Sequence, residues 1–381
     1  TGTAGGTQAI TFPNIEKTYH VLNDSNSILT LTTGTGAATV SLAAGKDKMI
    51  YNDGSDEIHD ALANLAITTI ATSGVATITG ALTSGAGGTI GAAGTATSVA
   101  GIPFFQGDTG SIYTHDVSGT DSTAQYNTAY GLNALDAVTT ADRVTAIGFE
   151  AGTAVTSATD SILIGAYAGN SLTEGINNLA IGTQALNTAD TEANNLAIGR
   201  SALTTVNSGG EYNVAIGNYS LDALTSGDNN VALGYNAGSA ATTAAGNVLI
   251  GAYVAQTGVF TGSNNVVIGK LAGNDMTGAD GNVIIGEDAG ANLTTGDNSI
   301  IIGQGAGEAL TTGGDNVFIG QAAGNGHDAE TNNIGIGKDA LGGSIAGGEY
   351  NVAIGNYSQD ILTSGDENVS LGYHSMGGVT T

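Results

Sequence analysis

The sequence predicts an all-β chain, in which a small antiparallel β-sandwich precedes a parallel β-roll, or solenoid, of about fifteen coils. The first observation is repetition: the octapeptide NVAIGNYS stands at both Asn213–Ser220 and Asn351–Ser358, with looser copies between them. The second is the steady spacing of the copies, since short fixed periods are typical of solenoids. The third is an alternation of apolar and polar residues near the N-terminus, which is typical of half-buried strands.

The composition excludes several functional classes. The chain of 381 residues has 34 acidic and 7 basic side chains, which gives a formal net charge of −27. Nucleic-acid binding requires clustered Lys and Arg that displace counterions, so no nucleic-acid partner is expected. There are 62 Gly and no Cys, so disulfides are excluded and close stacking of the backbone is favoured. No apolar run is long enough to span a bilayer, so no membrane insertion is expected.

Residues 1–65 are predicted to form the antiparallel sandwich. The segments Thr18–Asp24, Ser27–Thr33 and Ala38–Gly45 alternate as half-buried strands. Tyr51–Glu57 contains an Asn-Asp-Gly turn, which is typical of a tight hairpin.

Residues 66–126 are predicted to form a connector between the sandwich and the repeats. The segment is rich in Thr, Ala and Gly, and enough alternation survives to favour short strands over a flexible linker. The apolar stretch Ile102–Phe105 is expected to form a local plug before the repeats begin.

Residues 127–381 are predicted to form the repeat domain, whose period is marked by a Gly that we call position 0 of each coil. Successive glycines of this set are always seventeen or eighteen places apart in the sequence. They are Gly131, Gly148, Gly165, Gly182, Gly199, Gly217, Gly234, Gly251, Gly269, Gly286, Gly303, Gly320, Gly337, Gly355 and Gly372. Position −4 is Asn in twelve of the fifteen copies, position −1 is Ile in twelve, and position +3 is Ala in eleven. Columns as uniform as these indicate a building unit rather than an active site, which a chain needs only once.

The apolar triplet at positions −3 to −1 predicts a strand that is buried on both faces. One face is expected to fill the coil. The other face, with a small Ala in many copies, is expected to meet another chain, and the small residue at position +3 to allow close approach of the backbones. The simplest arrangement is a homotrimer around a central axis, and a broad, flat monomeric solenoid is the alternative.

The Asn column at position −4 is expected to form a ladder of side-chain amides, in which each Asn bonds to the Asn of the next coil. The Ile and Gly columns beside it are expected to carry the architecture. The predicted structural residues are Asn213, Ile216, Gly217, Asn230, Gly234, Asn247, Gly251, Asn265, Gly269, Asn282, Gly286, Asn316, Gly320, Asn351 and Gly355.

No catalytic, cofactor or metal site is predicted. The Gly-rich stretches lack the pattern of a phosphate-binding loop, since Asp339 follows Lys338 where Ser or Thr is required. The five His are far apart in the sequence, and the calcium-binding repeat and loop motifs are absent. The acidic stretch Asp53–Asp60 is interpreted as a solvated turn. The chain is therefore expected not to be an enzyme and to need no cofactor.

Aromatic residues often stand one or two places after position 0, and two interpretations are open. A strip of Tyr on the outside would stack on sugars, whereas rings that cover coil edges or fill gaps between chains would be structural. The second role is the more common one for such residues. The set comprises Phe149, Tyr167, Tyr219, Tyr235, Tyr253, Tyr357 and Tyr373.

The repeat resembles the head repeats of trimeric autotransporter adhesins, whose motif is of the SVAIGxxS kind. NVAIGNYS matches that motif in both copies, as does NVSLGYHS at Asn368–Ser375, and the resemblance covers about residues 127–376. It implies a left-handed parallel β-roll with three chains side by side. Coils in that family are shorter than the repeat of this chain, so the additional turn residues here are expected to bulge outward.

The N-terminal module is similar to one found in tail fibres of tailed bacteriophages. The corresponding residues are Val21–Asn23, Gly34–Gly36, Val40–Gly45 and Tyr51–Gly54. This resemblance implies that the chain is a section of a structural fibre protein of a phage virion, such as a tail fibre.

A fibre of this kind projects toward the host and attaches multivalently to a glycan or protein of the cell surface. Its expected partners are two further copies of the chain and other fibre or baseplate proteins of the virion. A trimeric adhesin on a bacterial cell surface is the first alternative, and a polysaccharide-cleaving tailspike is the second.

Overall fold

The computed structural model is all-β in the residues that it describes, and it confirms a parallel solenoid of about fifteen turns. The described residues are 8–11, 17–23, 28–32, 40–42, 44, 46–52, 58–60, 97–99, 102–106, 111–114, 123–343, 347–378 and 380. These ranges contain no helix, and so none that is long and apolar enough to cross a membrane. The chain divides into two compact units, Thr1–Thr83 and Ser84–Thr381.

The N-terminal unit contains two three-stranded sheets. Its strands are β1 (Gln8–Thr11), β2 (Lys17–Asn23), β3 (Leu29–Thr32), β4 (Val40–Leu42), β5 (Lys46–Asn52) and β6 (Ile58–Asp60). The sheet β2–β5–β6 is antiparallel throughout. The sheet β1–β3–β4 is mixed instead of antiparallel, because β1 runs parallel to β3. The predicted hairpin connects β5 to β6, but its loop at 53–57 and the Gly-Thr turn at 34–36 lie outside the described residues.

Apolar side chains from both sheets of this unit form one small core. Leu29 and Leu31 of β3 alternate inward with a period of two, and they pack with Val40 and Leu42 of β4 and with Val21 of β2. One polar group also joins the two sheets: the Nδ2 atom of the buried Asn23 in β2 donates to the carbonyl of Leu42, 2.9 Å away. The alternation in the sequence thus translates directly into the faces of these strands.

The second unit is a single ladder of short strands. These are β7 (Thr97–Val99), β8 (Ile102–Gln106), β9 (Ile112–Tyr113), β10 (Thr128–Tyr130), β11 (Thr145–Ile147), β12 (Ile162–Ile164), β13 (Leu179–Ile181), β14 (Leu196–Ile198), β15 (Val214–Ile216), β16 (Val231–Leu233), β17 (Val248–Ile250), β18 (Val266–Ile268), β19 (Val283–Ile285), β20 (Ile300–Ile302), β21 (Val317–Ile319), β22 (Ile334–Ile336), β23 (Val352–Ile354) and β24 (Val369–Leu371). From β9 onward each strand pairs in parallel with the next one, and from β10 onward equivalent columns lie in register.

The N-terminal edge of this ladder is paired with antiparallel strands. β8 pairs with β9, and β7 pairs with β8, so the first parallel strand has a neighbour on each side. The predicted plug, Ile102–Phe105, falls within β8, and the connector residues 66–96 lie outside the described residues.

Consecutive coils approach most closely at position 0. Gly217 has a φ of 134°, and a Cβ atom added to it would lie 2.2 Å from the carbonyl oxygen of Gly234 in the next coil. The same clash, at 2.2 to 2.7 Å, recurs at every position 0 from Gly131 to Gly355. Gly is therefore required at position 0 for two reasons: other residues rarely adopt the φ found there, and there is no space for a side chain.

Three further positions in each coil adopt left-handed backbone conformations, and they are held by hydrogen bonds between coils. In one coil they are Tyr212 (φ 58°), Tyr219 (φ 61°) and Leu221 (φ 49°), at positions −5, +2 and +4. Such conformations cost about 1–2 kcal/mol for a residue other than Gly. The backbone N–H of Tyr219 donates to the carbonyl of Arg200 in the previous coil, and that of Leu221 donates to the carbonyl of Ala237 in the next one. Stacking of the coils thus offsets the strain of the turns.

Positions −2 and +4 fill the same space inside the coil, so that a large residue at one requires a small residue at the other. Ala197 is paired with Leu203, whereas Phe318 is paired with Gly324, where an added Cβ would lie 2.5 Å from the Phe318 ring. Gly152 and Gly238 instead make room for the Leu at position −2 of the following coil, Leu163 and Leu249. Close packing of these side chains leaves little free volume in the coil.

The predicted orientation of the small residues is wrong. Ala at positions −2 and +3 was expected to face another chain, but both columns are buried within the coil itself, as at Ala215 and Ala202. Successive residues of a strand point to opposite faces, so the middle residue points inward and its two neighbours point outward. The outward face therefore carries Val and Ile instead of Ala.

Replacement of Gly217 by Ala should lower the free energy of unfolding by about 3 kcal/mol or more, because the new methyl group meets the Gly234 carbonyl. Gly209 is the matched control: it lies in the same coil and has a φ of 97°, but an added Cβ has no atom within 4 Å. Gly209→Ala should cost only about 1–2 kcal/mol of backbone strain. Urea denaturation followed by circular dichroism measures both, and equal losses would contradict the stacking argument.

Candidate functional site

The Asn side chains at position −4 form a buried chain of hydrogen bonds from coil to coil. Oδ1 of Asn213 accepts from the backbone N–H of Asn230 at 3.0 Å and from its Nδ2 at 3.1 Å. Nδ2 of Asn230 also donates to the carbonyl of Ala244 at 2.7 Å. Asn247, Asn265 and Asn282 continue the same pattern. The polar atoms of this ladder are used within the protein, so its role is structural.

Two serines interrupt the ladder but preserve half of its bonds. Oγ of Ser161 accepts from the backbone N–H of Asn178 at 3.2 Å, and Oγ of Ser299 accepts from that of Asn316 at 3.1 Å. The short Ser side chain lacks the amide that reaches the neighbouring loop. Beyond Ser299 the ladder resumes from Asn316 through Asn333 to Asn351.

Many acidic side chains have a structural role, since they accept hydrogen bonds from the loops. Oδ1 of Asp228, at position −6, accepts from the backbone N–H of Glu211 in the previous coil at 2.8 Å. Asp280 and Asp297 repeat this contact. Glu192 and Glu330 are buried at position −7, where their carboxylates accept from backbone N–H groups of the 209 and 347 loops and of their own loops. Part of the large negative charge is therefore engaged within the fold.

The outward residues of the strands form a continuous apolar stripe, defined as positions −3 and −1 of β10–β24. From β12 onward every member is Val, Ile or Leu, and most are half-buried in the single chain. Ile216, one of the predicted structural residues, belongs to this stripe and is 38% exposed. The predicted Asn and Gly residues stand at positions −4 and 0, on either side of the strand. At about 4.8 Å per coil the stripe is roughly 70 Å long. No charged residue interrupts it.

Aromatic rings beside the stripe stack from coil to coil in edge-to-face pairs. Tyr235 contacts Tyr219 at 6.1 Å and Tyr253 at 5.4 Å between ring centroids. Phe149 and Tyr167 form a similar pair at 5.3 Å. The ring interactions agree with a structural role, but rings such as Tyr235, which is 45% exposed, also present surface to solvent.

Two cations lie over this aromatic column. Cζ of Arg200 is 5.5 Å from the centroid of the Tyr219 ring, and Nζ of Lys338 is 5.6 Å from that of Tyr357. Contact with the Tyr357 hydroxyl, and secondarily the Asp339 carboxylate, raises the pKa of Lys338 above its ordinary value. Both cations are exposed at position +1 of their coils. The other two described cations of the solenoid, Arg143 and Lys270, form ion pairs with carboxylates of the next coil.

His327 is the most unusual titratable side chain of the solenoid interior. It is fully buried at position +7, where the two preceding coils have Leu293 and Leu310, and its ring lies 4.9 Å from the Phe318 ring. Neither ring nitrogen makes a hydrogen bond with a described residue. Burial lowers the pKa of His327 to about 4, although the Glu330 carboxylate and nearby backbone carbonyls favour the protonated form. Sequence spacing alone did not reveal this residue as a core position.

Metal-binding clusters are absent from the described part of the chain. No group of three or more His, Cys, Asp or Glu side chains is arranged there to hold an ion. The acidic stretch at 53–60 is described only from Ile58, so the interpretation of its turn stays a prediction. The candidate functional surfaces are therefore the apolar stripe and the aromatic column beside it.

Replacement of Asn265 by Ala should lower the free energy of unfolding by about 3 kcal/mol. It removes the acceptor for the buried N–H of Asn282 and the donor to the Ala279 carbonyl. Asn265→Ser should cost less, since the native Ser299 shows that Oγ can accept from the next coil. Denaturation midpoints and the exchange rate of the Asn282 amide measure the difference, and equal effects of Ala and Ser would contradict this account.

Replacement of His327 by Leu should make the solenoid less sensitive to acid. The unfolded His takes up a proton below its ordinary pKa of 6.5, whereas the folded one does so only below about 4. Stability is therefore lost as the pH falls from about 6.5 to about 4, by on the order of 3 kcal/mol from this group. The melting temperature of His327→Leu, measured between pH 7 and pH 4, should fall less than that of the wild type. Parallel curves for the two proteins would show that His327 does not titrate in this way.

No protein-family model matches the chain, and no curated protein matches it significantly. The geometry of the solenoid surface and the resemblance of its repeat motif are therefore the observations that bear on function.

Proposed function

We propose that the chain is a structural fibre protein of a phage virion, a tail fibre or a similar appendage, which assembles as a homotrimer and attaches to the host cell surface. The observation that carries the proposal is the uncharged apolar stripe along the whole solenoid. In a single chain this stripe is only half-buried. Its role in the assembly is mechanical and not catalytic.

A second and third copy of the chain are the occupants that fit the stripe best. Each copy repeats at the same spacing of about 4.8 Å, so the side chains of neighbouring solenoids interleave along their whole length. Contiguous apolar patches of this extent mark interaction surfaces on soluble proteins. Three stripes around one axis bury each other, and the resemblance of the repeat to adhesin heads supports this symmetry and left-handed coils.

The rest of the surface suits a rod that projects into water. Exposed acids keep the rod soluble, and three identical sides offer the same contacts to a repeated receptor, which raises avidity without a tight single site. The similarity of the N-terminal module to phage tail-fibre modules favours a virion over a bacterial surface. Other fibre or baseplate proteins would anchor the assembly to the virion, and a glycan or protein of the host surface would be its receptor.

The mass in solution tests the assembly. Light scattering should give three times the chain mass of 37.3 kDa. The variant Ile268→Asn/Ile302→Asn places amides on the stripe and should shift the mass toward that of one chain. The control Ile176→Asn/Ile361→Asn changes residues that are 42% and 43% exposed but lie off the stripe, and it should remain trimeric. A wild-type mass equal to that of one chain would overturn the trimer.

Attachment and location are tested separately. The fluorescent trimer should bind intact bacteria of its host and be competed by unlabelled protein, and immunogold with an antibody to the chain should label virion appendages. Gold on the bacterial envelope in the absence of virions would favour the alternative of a cell-surface adhesin. Absence of binding to every strain that the virus infects would overturn the attachment role.

A further inference from the structure

One block of the solenoid occurs twice, eight coils apart. The twelve residues GGEYNVAIGNYS at Gly209–Ser220 recur unchanged at Gly347–Ser358. The similarity extends to both sides, from Glu192 to Tyr235 and from Glu330 to Tyr373. At about 4.8 Å per coil the two blocks lie roughly 38 Å apart along the solenoid.

The two blocks differ at several interior positions and at several surface positions, but they agree at a set of exposed polar and aromatic residues. Ala197, Leu221 and Ala232 of the first block are buried, and their counterparts are Gly335, Gln359 and Ser370. The carboxamide oxygen of Gln359 is even left without a hydrogen bond among the described residues. The exposed polar and aromatic residues that both blocks share include Tyr212 and Tyr350, Asn218 and Asn356, and Tyr235 and Tyr373, with a cation at Arg200 and Lys338. Packing of the coil does not require the rings and the cations, because other coils carry different residues at these positions.

The shared residues adopt the same geometry in both blocks. In the first, Arg200 lies over Tyr219, whose ring meets Tyr235 edge-to-face at 6.1 Å and 89°. In the second, Lys338 lies over Tyr357, whose ring meets Tyr373 at 6.0 Å and 86°. We call each set a tyrosine station. The outer ring of the first station, Tyr235, is 45% exposed although it also contacts Tyr253 of the next coil, and the outer ring of the second, Tyr373, lies in the last described coil.

The size and chemistry of a station favour a sugar over a protein partner. A stable protein interface buries about 800 Å² on each side, far more than two rings and a cation provide. A pyranose has an apolar face of C–H bonds that packs on an aromatic ring and an edge of hydroxyl groups that hydrogen-bond to amides and cations. The exposed Asn218 and Asn356 accept from the backbone N–H of Arg200 and Lys338 through Oδ1, and their Nδ2 groups supply such amide donors.

The charge of the chain favours a neutral sugar. The formal net charge of −27 repels polyanionic glycans. One station has Arg and the other has Lys, so both have a positive charge, but only Arg has the planar guanidinium that binds a carboxylate or phosphate in bidentate fashion. A site specific for such anions would be expected to have Arg in both stations. The single cation of each station therefore serves as a hydrogen-bond donor to hydroxyl groups.

We infer that the two tyrosine stations are equivalent binding sites for neutral hexose chains, two on each protein chain. The inference rests on the proposed attachment function and names its ligand class. Two weak sites roughly 38 Å apart, multiplied by three chains, match a repetitive polysaccharide better than an isolated small molecule.

The test is saturation-transfer NMR on the full chain with maltohexaose, mannohexaose and chitotriose as probes. At least one probe should receive saturation from Tyr protons, with two sites per chain. The double variant Tyr235→Ser/Tyr373→Ser should weaken that binding at least tenfold. Tyr167→Ser is the matched control, since Tyr167 is also an exposed ring in an edge-to-face pair but has no cation over it, and it should bind as the wild type.

Arg200→Gln/Lys338→Gln provides a second variant in case the tyrosine variant fails to fold, and it should weaken binding at least threefold. No saturation of any probe, or equal binding by the wild type and the variants, would overturn the inference. Attachment to host cells separates the two proposals. If the wild type and the tyrosine variant bind cells equally well, the tyrosine stations are not the glycan sites, but the proposed attachment function is unaffected. Sugar binding without any attachment to cells would instead refute the attachment role.

Discussion

The close approach of consecutive coils at position 0 is the constraint on which the rest of the solenoid depends. Parallel strands stack at about 4.8 Å, and a Cβ on Gly269 would meet the next glycine's carbonyl at 2.2 Å. With the coils this close, most backbone N–H groups and side-chain amides of the turns bond to a neighbouring coil, whereas some, such as the N–H of Ser220 to the carbonyl of Gly217, bond within their own coil. The Asn ladder, the capping carboxylates and the left-handed turn residues all take part in this bonding. Most of these hydrogen bonds run between coils, so the repeats depend on one another for their stability.

The same closeness determines where function can lie. The interior of a coil is filled by one large side chain at position −2 or +4, as the pairs Ala197/Leu203 and Phe318/Gly324 show, and in many coils by a second one at position +7, such as Leu293. Such an interior has no room for a substrate. Ligands and partners must therefore bind outside, where the strand presents Val and Ile and the following residues present rings and charges. In so thin a solenoid the inward-facing residues serve packing, and only the outward-facing residues can contact other molecules.

The sequence predicted the coils well because Gly and Asn recur with a fixed period, and each has a physical reason to do so. It predicted the faces of the strands badly because a triplet such as Val214–Ile216 is apolar at all three places, so no polar residue indicates which side is out. The sequence also did not predict that a large residue at position −2 requires a small one at position +4. That relation becomes visible only when these two positions, six places apart, are known to fill the same space. His327 went unnoticed for a related reason: position +7 is identified as interior only after the turn is built.

The duplicated block allows the constraints on interior positions to be compared with those on surface positions. Interior positions tolerate exchange as long as each layer stays full, so Leu221 and Gln359 can occupy equivalent sites. Surface positions are not subject to that packing constraint, and the residue types at these positions differ between most coils. Agreement of two distant coils in ring, amide and cation therefore points to a demand from outside the fold. Stacking of the coils holds the two tyrosine stations at a fixed separation, which the inferred binding of a repetitive glycan uses and which a flexible linker could not maintain.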